Sequence, residues 1–170
     1  MTSVRRVFLA GTIQGASNGL AVEDQSYRHV IPTIVSSVFP HAECFDPSLP
    51  VVQQLANPET AAAVRTAIEA GSGVLRTRDL AAEAQQLRRT FLDMAEEAAS
   101  CDLCIAYLPG STPSMGTAME MYAAHRAGVP VVAVTRMTGN LAVVAVSTVI
   151  TPDLDLLRDA LIVVRDGSTA

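Results

Sequence analysis

From Leu103 to Glu120 the chain reads LCIAYLPGSTPSMGTAME. The first six residues are an apolar run typical of a buried strand, and the proline, glycine, serine and threonine residues that follow predict a turn. A helix that begins after Ser114 would offer unpaired backbone N–H groups and the positive end of its dipole, which together can hold an anion such as phosphate. Glu120 lies about one and a half helical turns after Ser114. Its carboxylate is therefore expected to face the same ligand from the side.

A second strand followed by a polar turn is predicted near the N-terminus. The run VRRVFLAG, residues 4–11, predicts a strand that ends in glycine, and the polar, glycine-rich residues 12–19 predict the loop after it. The other predicted elements follow in chain order: a helix over 22–37 that contains Pro32, a strand over 42–45, a helix over about 79–100, a strand over 129–134 after Gly128, and a helix from Thr151 to about Leu161.

This alternation of strands and helices predicts an α/β fold, a flavodoxin- or Rossmann-like parallel sheet of about five strands with helices on both faces. We expect one domain over residues 1–170. Residues 46–80 are the least regular part, although Asn57 before Pro58 predicts a capped helix start. Ligands bind at the carboxyl ends of strands in such sheets, where the loops 11–19 and 109–117 are expected.

Composition narrows the classes of partner. The chain is 49% hydrophobic and 17% charged, with a net charge of −5 and no cluster of Lys or Arg, so nucleic acid and anionic membrane are not expected partners. No apolar run approaches the roughly 20 residues that span a bilayer, and a cytoplasmic location is expected. No His, Cys and Asp cluster has the spacing of metal ligands. We predict no metal and no cofactor, and a small-molecule phosphate as ligand.

The chain has three cysteines, an odd number that argues against a disulfide framework. Cys101 and Cys104 have the C-x-x-C spacing of a redox pair, but they lead into an apolar strand rather than a helix N-terminus. We therefore interpret them as buried packing residues.

Two motifs resemble the nucleoside 2-deoxyribosyltransferase superfamily, and within it the nucleoside 5′-monophosphate N-glycosidases that hydrolyse CMP or hydroxymethyl-CMP. The first is FLAGTIQG at residues 8–15, which is similar to the family's aromatic-x-x-Gly-[Ser/Thr]-Ile-x-Gly turn. The second runs from Cys101-Asp102 through PSMGTAME at residues 113–120, which is similar to its Ala-Asp strand, Pro-Ser-x-Gly turn and helix glutamate.

The resemblance implies roles for the residues of the second motif. Glu120 occupies the position of the nucleophile that attacks the anomeric carbon and forms a glycosyl ester. Its place near a helix N-terminus is expected to favour the charged carboxylate. Ser114, with the amides of Met115 and Gly116, matches the phosphate site of the monophosphate-specific branch; the alternative is an ordinary N-cap serine.

In the first motif, the resemblance places Gly11, Thr12 and Gln14 in the substrate turn, with Thr12, Gln14 and Tyr27 near the base or sugar. Gln14 departs from the several relatives that carry arginine. Phe8 stands where deoxyribonucleotide hydrolases carry tyrosine and CMP hydrolases carry phenylalanine, which implies room for a 2′-hydroxyl and a ribonucleotide substrate. A core phenylalanine is the alternative.

The family also uses a second carboxylate, for which Asp93 is the candidate and Glu96 its rival, because the spacing is one residue off. Relatives are dimers or larger assemblies with shared active sites. By this resemblance, Asn140 is expected to reach a neighbouring subunit's site, and the apolar residues 141–150 to supply a homodimer surface.

The sequence thus predicts a hydrolase that cleaves the N-glycosidic bond of a CMP-like ribonucleoside 5′-monophosphate to free base and ribose 5-phosphate. One alternative is base exchange by a nucleoside 2-deoxyribosyltransferase. The other is a non-catalytic nucleotide-binding sensor.

Overall fold

A computed structural model describes residues 4–13, 22–69, 73–111 and 113–167 of the chain. Its five strands form one parallel sheet in the order β2-β1-β3-β4-β5. The strands are β1 (Arg6–Gly11), β2 (Glu43–Phe45), β3 (Leu103–Tyr107), β4 (Val131–Val134) and β5 (Val149–Thr151). The predicted α/β class is confirmed, and the order is that of flavodoxin-like sheets.

Seven α-helices lie in the described ranges: α1 (Tyr27–Val38), α2 (Ser48–Ala56), α3 (Pro58–Glu69), α4 (Ala82–Glu97), α5 (Met115–Arg126), α6 (Leu141–Val146) and α7 (Leu157–Gly167). Single 3₁₀ turns at Thr77–Asp79 and Ala98–Ser100 flank α4.

The sheet has a hydrophobic core on each face because its central strands are apolar on both sides. Leu9 of β1 and Leu103 of β3 pack with α1 and α7 on one face. Ala10 of β1 and Cys104 of β3 pack with α5 and α6 on the other. A strand buried on both faces needs an uninterrupted apolar run, which β3, β4 and the part of β1 after Arg6 have.

The chain reverses direction across the sheet between β1 and β3, since β2 lies on one side of β1 and β3 on the other. Ligands bind at such a switch point, beyond the carboxyl ends of the two strands. The residues there are Gly11 at the end of β1 and Tyr107 at the end of β3, which are paired in register.

In the N-terminal half, the structure differs from the prediction at the start of α1 and in the segment after β2. The first helix begins at Tyr27 rather than Val22, and it continues through Pro32 to Val38. Proline removes one hydrogen bond of the helix, but the buried face of α1 stays packed against the sheet. The segment after β2 is a helix, α2, although it was predicted as irregular. Asp46 starts it by accepting the amide of Ser48.

Capping was predicted correctly in two places. Asn57 Oδ1 accepts the amides of Glu59 and Thr60 at the start of α3. Gly128 follows α5 with φ 76°, a left-handed conformation that favours glycine.

The C-terminal prediction was wrong in detail. Thr151 ends strand β5 instead of capping the last helix, which begins at Leu157. The strand was not predicted because Val149–Thr151 is only three residues long and follows the apolar helix α6 without a turn signal. No helix in the described residues is long and apolar enough to cross a membrane.

Candidate active site

A cavity of about 240 Å³ lies at the switch point of the sheet. It brings together the ends of both sequence motifs: Gly11 from the first, and Ser114, Met115, Gly116 and Glu120 from the second. Ile13, Val51 and Phe91 complete its described lining. The cavity thus joins a carboxylate, a helix N-terminus and apolar walls.

Glu120 projects from the sheet-facing side of α5, and only 5% of its surface is exposed. Its Oε2 atom has no hydrogen-bond partner among the described residues. Burial raises the pKa of this carboxyl to about 8, against the opposing effects of the Arg28 guanidinium and the Gly11 amide. The expectation of an ionised carboxylate was therefore wrong for the ligand-free chain: the dipole acts mainly within the first turn, and desolvation outweighs it.

The Arg28 guanidinium acts electrostatically on this carboxyl, and sequence reasoning missed it. The side chain is buried and donates to the carbonyl oxygens of Leu9 (2.8 Å) and Gly11 (3.4 Å). It also donates to Asp46 Oδ1 (2.8 Å) and Gln25 Oε1 (2.7 Å). These four acceptors fix the guanidinium next to the carboxyl end of β1. One sequence signal pointed to it: a lone arginine in the mainly apolar first half of α1, with an aspartate directly after β2.

Ser114 is the N-cap of α5 in the described structure. Its Oγ accepts the amide of Thr117 (3.3 Å) and the hydroxyl of Thr117 (2.9 Å). The first intrahelical bond of α5 joins the Ala118 amide to the Ser114 carbonyl, so the amides of Met115 and Gly116 precede the helical ladder. Ser114 is thus an N-cap residue. Met115 and Gly116, whose amides are not part of the helical hydrogen-bond pattern, line the cavity.

Tyr27 packs directly over Gly11. A Cβ atom on Gly11 would lie 2.1 Å from the Tyr27 hydroxyl oxygen and 2.7 Å from the ring carbon that carries it. Glycine is required here by this close approach, since the backbone φ of Gly11 is not in the left-handed region.

We expect Gly11→Ala to lower the free energy of unfolding by about 1 to 3 kcal/mol, because the buried tyrosine ring must move. Thermal denaturation measures this loss. Gly116→Ala is the matched control, since its Cβ would lie 3.3 Å from the Phe91 ring and we expect less than about 1 kcal/mol. Equal melting temperatures for Gly11→Ala and the wild type would contradict the packing described here.

The remaining predicted residues lie as follows. Phe8 is fully buried and packs on Phe45, with ring centroids 5.7 Å apart, and it does not line the cavity. The Thr12 carbonyl accepts from Gln25, next to the cavity, and Gln14 lies outside the described residues. Asn140 caps α6 by accepting the amides of Ala142 and Val143.

Asp93 and Glu96 are exposed on α4. Neither lines the Glu120 cavity as far as the described residues show, and the second carboxylate stays a prediction for both. Asp46, which was not a candidate, is the carboxylate that acts on Glu120 electrostatically.

Cys101 and Cys104 are buried and free, and burial raises the pKa of both thiols. This is the packing environment that the sequence predicted, because a reactive thiol needs a lowered pKa. Within the described ranges, no group of three or more His, Cys, Asp or Glu side chains could hold a metal ion.

No protein-family model matches the chain, and no curated protein matches it significantly. Several solved structures do match the chain. A 2-deoxyribosyltransferase from the psychrotolerant bacterium Bacillus psychrosaccharolyticus aligns over 91% of this chain and 90% of its own at 16% identity, with a TM-score of 0.53. A conserved protein from Enterococcus faecalis aligns over 94% and 98% at 15% identity, with a TM-score of 0.55.

A CMP N-glycosidase from Clostridium botulinum aligns over 94% of this chain and 99% of its own at 17% identity, with a TM-score of 0.37. Identities at this level bear on the fold alone. The chain therefore shares its fold with the first two of these proteins, one of which is a 2-deoxyribosyltransferase.

Proposed function

We propose that this chain is a nucleotide N-glycosidase that hydrolyses a CMP-like ribonucleoside 5′-monophosphate to free base and ribose 5-phosphate. The observation that carries the proposal is the buried Glu120 Oε2, which has no hydrogen-bond partner among the described residues, in a cavity that the first turn of α5 also lines. A nucleophile and an anion site in one cavity match a phosphorylated sugar.

The reaction needs an ionised Glu120. Its carboxylate oxygen attacks the anomeric carbon as the carbon–nitrogen bond breaks, and the bonding electrons leave with the base, which takes up one proton. Water then attacks the glycosyl ester and gives one proton to solvent, so the carboxylate is restored and ribose 5-phosphate is released. Asp93 and Glu96 stay the candidates for protonating the base.

The 5′-phosphate is proposed to bind at the N-terminus of α5. The amides of Met115 and Gly116 and the dipole of a 12-residue helix favour an anion there, and no acidic residue lies in its first turn. Ser114 Oγ already accepts two hydrogen bonds, which leaves its own hydroxyl hydrogen to donate.

The decisive experiment incubates the protein with ribo- and deoxyribonucleoside 5′-monophosphates and the matching nucleosides, with and without a competing free base, and follows base release by chromatography. We expect release from a ribonucleotide that needs the 5′-phosphate and does not incorporate the added base. Incorporation of the base would identify a transferase. Binding of nucleotides without any release would identify a sensor.

We expect kcat/KM for this reaction to rise with pH up to about 8 and then to level off. The pKa of Glu120 is raised to about 8 in the free chain, and the ionised fraction of a carboxyl falls about tenfold for each pH unit below its pKa. The groups that act on this carboxyl electrostatically are Arg28 and Asp46, with Tyr27 and Cys104 on the adjoining elements. A rate that falls between pH 6 and pH 8 would contradict a Glu120 nucleophile.

We also propose a homodimer or larger homo-oligomer that forms through α5 and α6. Met119, Leu141 and Val144 are exposed there, and Leu141 is 84% exposed. An apolar cavity of about 340 Å³ between these helices shares Ser114 with the Glu120 cavity. A second copy on this face would therefore lie next to the site, where Asn140 also lies.

We expect Leu141→Glu to give a monomer by sedimentation velocity, because a buried charge at an apolar interface opposes association. The substitution does not harm the helix, since an acidic residue suits the first turn of α6. Val74→Glu is the control, as Val74 is 96% exposed on another part of the chain. An unchanged mass for Leu141→Glu would reject this interface.

A further inference from the structure

The carboxyl end of β1 extends beyond the neighbouring strand β2. The last residue of β2, Phe45, pairs with Phe8. The Arg5 carbonyl accepts an amide of β2 at 2.7 Å, and alternate residues of a strand direct their backbone groups towards the same neighbour. The carbonyls of Leu9 and Gly11 therefore lie on the β2 side of β1, past the point where β2 can donate to them.

The Arg28 side chain supplies the donors that β2 does not. Its guanidinium donates to the Leu9 carbonyl at 2.8 Å and to the Gly11 carbonyl at 3.4 Å. Asp46, the residue directly after β2, accepts from the same guanidinium at 2.8 Å, and Gln25 accepts from its Nε atom at 2.7 Å. A planar fork with several fixed donors can bridge these groups at once, which a single ammonium cannot.

These contacts surround the peptide group whose N–H meets Glu120. The Gly11 amide donates to the Glu120 carboxyl, and both residues line the same cavity. This amide belongs to the peptide group that joins Gly11 to the residue before it, and Arg28 binds the carbonyls of the peptide groups on either side. Gln25 fixes the next carbonyl, that of Thr12, at 2.8 Å. The direction of the Gly11 amide is therefore set by side chains of α1 and of the segment before it.

We propose that Arg28 is a positioning residue of the reaction: by binding the carbonyls of Leu9 and Gly11, it directs the Gly11 amide at the Glu120 carboxyl and so orients the carboxylate for attack. This inference rests on the proposed function. Because Glu120 Oε2 has no hydrogen-bond partner among the described residues, the amide anchors the other oxygen and leaves Oε2 to attack the anomeric carbon. Reaction rates depend steeply on such an orientation. Arg28 is not part of the described cavity lining, so it acts through Gly11 and not on the substrate.

The first test is Arg28→Lys, which keeps the positive charge but not the planar fork that reaches both carbonyls. Because Arg28 acts on orientation and not on binding, we expect kcat to fall about 10- to 100-fold while KM changes less than about threefold. Both constants are measured well below the melting temperature of the variant, so that it is folded. Arg78→Lys is the matched control, since the Arg78 side chain is 77% exposed, and it should keep both constants.

Gln25→Leu separates positioning from electrostatics, because it removes a supporting group that carries no charge. The variant loses the contacts to Arg28 and to the Thr12 carbonyl, and we expect kcat to fall about 3- to 10-fold. A purely electrostatic role of Arg28 predicts wild-type kcat for Gln25→Leu. A purely structural role predicts lower melting temperatures but wild-type kcat for both variants. Either of these results would overturn the proposal.

A stability measurement makes the test independent of turnover. The melting temperature of the wild type, relative to that of Glu120→Gln, is expected to fall as the pH rises to about 8, the raised pKa of Glu120 in the folded chain. Loss of the Gly11 amide bond raises this pKa further, because the amide favours the charged carboxylate. When Arg28→Lys is compared with the double variant Arg28→Lys and Glu120→Gln, the fall should therefore continue to about pH 9.

The other titratable groups that interact with Glu120, which are Asp46, Tyr27 and Cys104, are the same in every protein compared. If no nucleotide is hydrolysed but the pH limit still moves in Arg28→Lys, the proposed hydrolysis fails and the positioning of Glu120 by Arg28 stands. If a nucleotide is hydrolysed but the pH limit and kcat both keep their wild-type values, the hydrolysis stands and this inference fails.

Discussion

Glu120→Gln should abolish base release while making the folded chain more stable at neutral pH. The amide is nearly the same size as the carboxyl but cannot form the glycosyl ester, so we expect kcat/KM to fall by at least about 10³-fold. The measurement is base release from the best nucleotide of the panel, with single-turnover conditions to exclude a change in product release.

The stability gain follows from the raised pKa of Glu120. The folded chain holds this proton up to about pH 8, whereas the unfolded chain loses it near the ordinary value of 4.5. The wild type therefore loses stability as the pH rises from 4.5 towards 8, since the unfolded state ionises more easily. Glutamine has no such titration, so its advantage should be absent at pH 4 and on the order of 3 kcal/mol at pH 7, or roughly 6 to 12 °C in melting temperature.

The control for both measurements is Glu69→Gln, which changes an exposed carboxylate on α3. We expect neither the rate nor the pH dependence of stability to change. Two outcomes would reject the role of Glu120: a glutamine variant that keeps more than about a tenth of the activity, or one whose melting temperature follows the wild type at every pH from 4 to 8.

Arg28→Met should destabilise the chain more than any exposed charge change. The side chain of Arg28 is 4% exposed and that of its partner Asp46 is 22% exposed, so removal of the cation leaves a largely buried carboxylate without compensation. It also leaves the Leu9 carbonyl without this donor. Breaking such a pair typically costs 3 to 5 kcal/mol; because Asp46 is partly exposed, we expect about 2 to 4 kcal/mol, or roughly 5 to 15 °C in melting temperature.

The double variant Arg28→Met with Asp46→Asn tests the reason for that loss. If the unpaired charge of Asp46 is responsible, removing it should restore at least about 1 kcal/mol. Arg78→Met is the matched control, because the Arg78–Asp79 pair is 3.6 Å apart and highly exposed, and such pairs contribute at most about 1 kcal/mol. A smaller loss for Arg28→Met than for Arg78→Met would contradict the buried network.

Much of the fold could be predicted from short-range patterns. The runs at residues 4–11, 103–108 and 129–134 are apolar apart from Arg5 and Arg6 at the start of the first, as a strand covered on both faces requires, and all three became central strands. Elements with weak local signals were missed. Strand β5 is three residues long, and α2 begins beside two prolines that also suit a turn.

The residues of the candidate site also fall into those that a local motif predicts and those that it does not. Gly11, Ser114 and Glu120 were found because each belongs to a continuous motif, and the cavity unites them. Arg28 and Asp46 belong to no motif: they are 18 residues apart and meet only when β2 pairs with β1 and α1 packs beside them.

The sequence by itself determined the three central strands, the glycine and serine turns, and the position of a carboxylate one and a half turns after a helix start, because these depend on local periodicity and backbone chemistry. Only the tertiary structure decided the ionisation of Glu120, the partners of Arg28 and the approach of Tyr27 to Gly11. Those properties depend on burial and on contacts between distant segments, and no local pattern records how much water a folded chain excludes from a side chain.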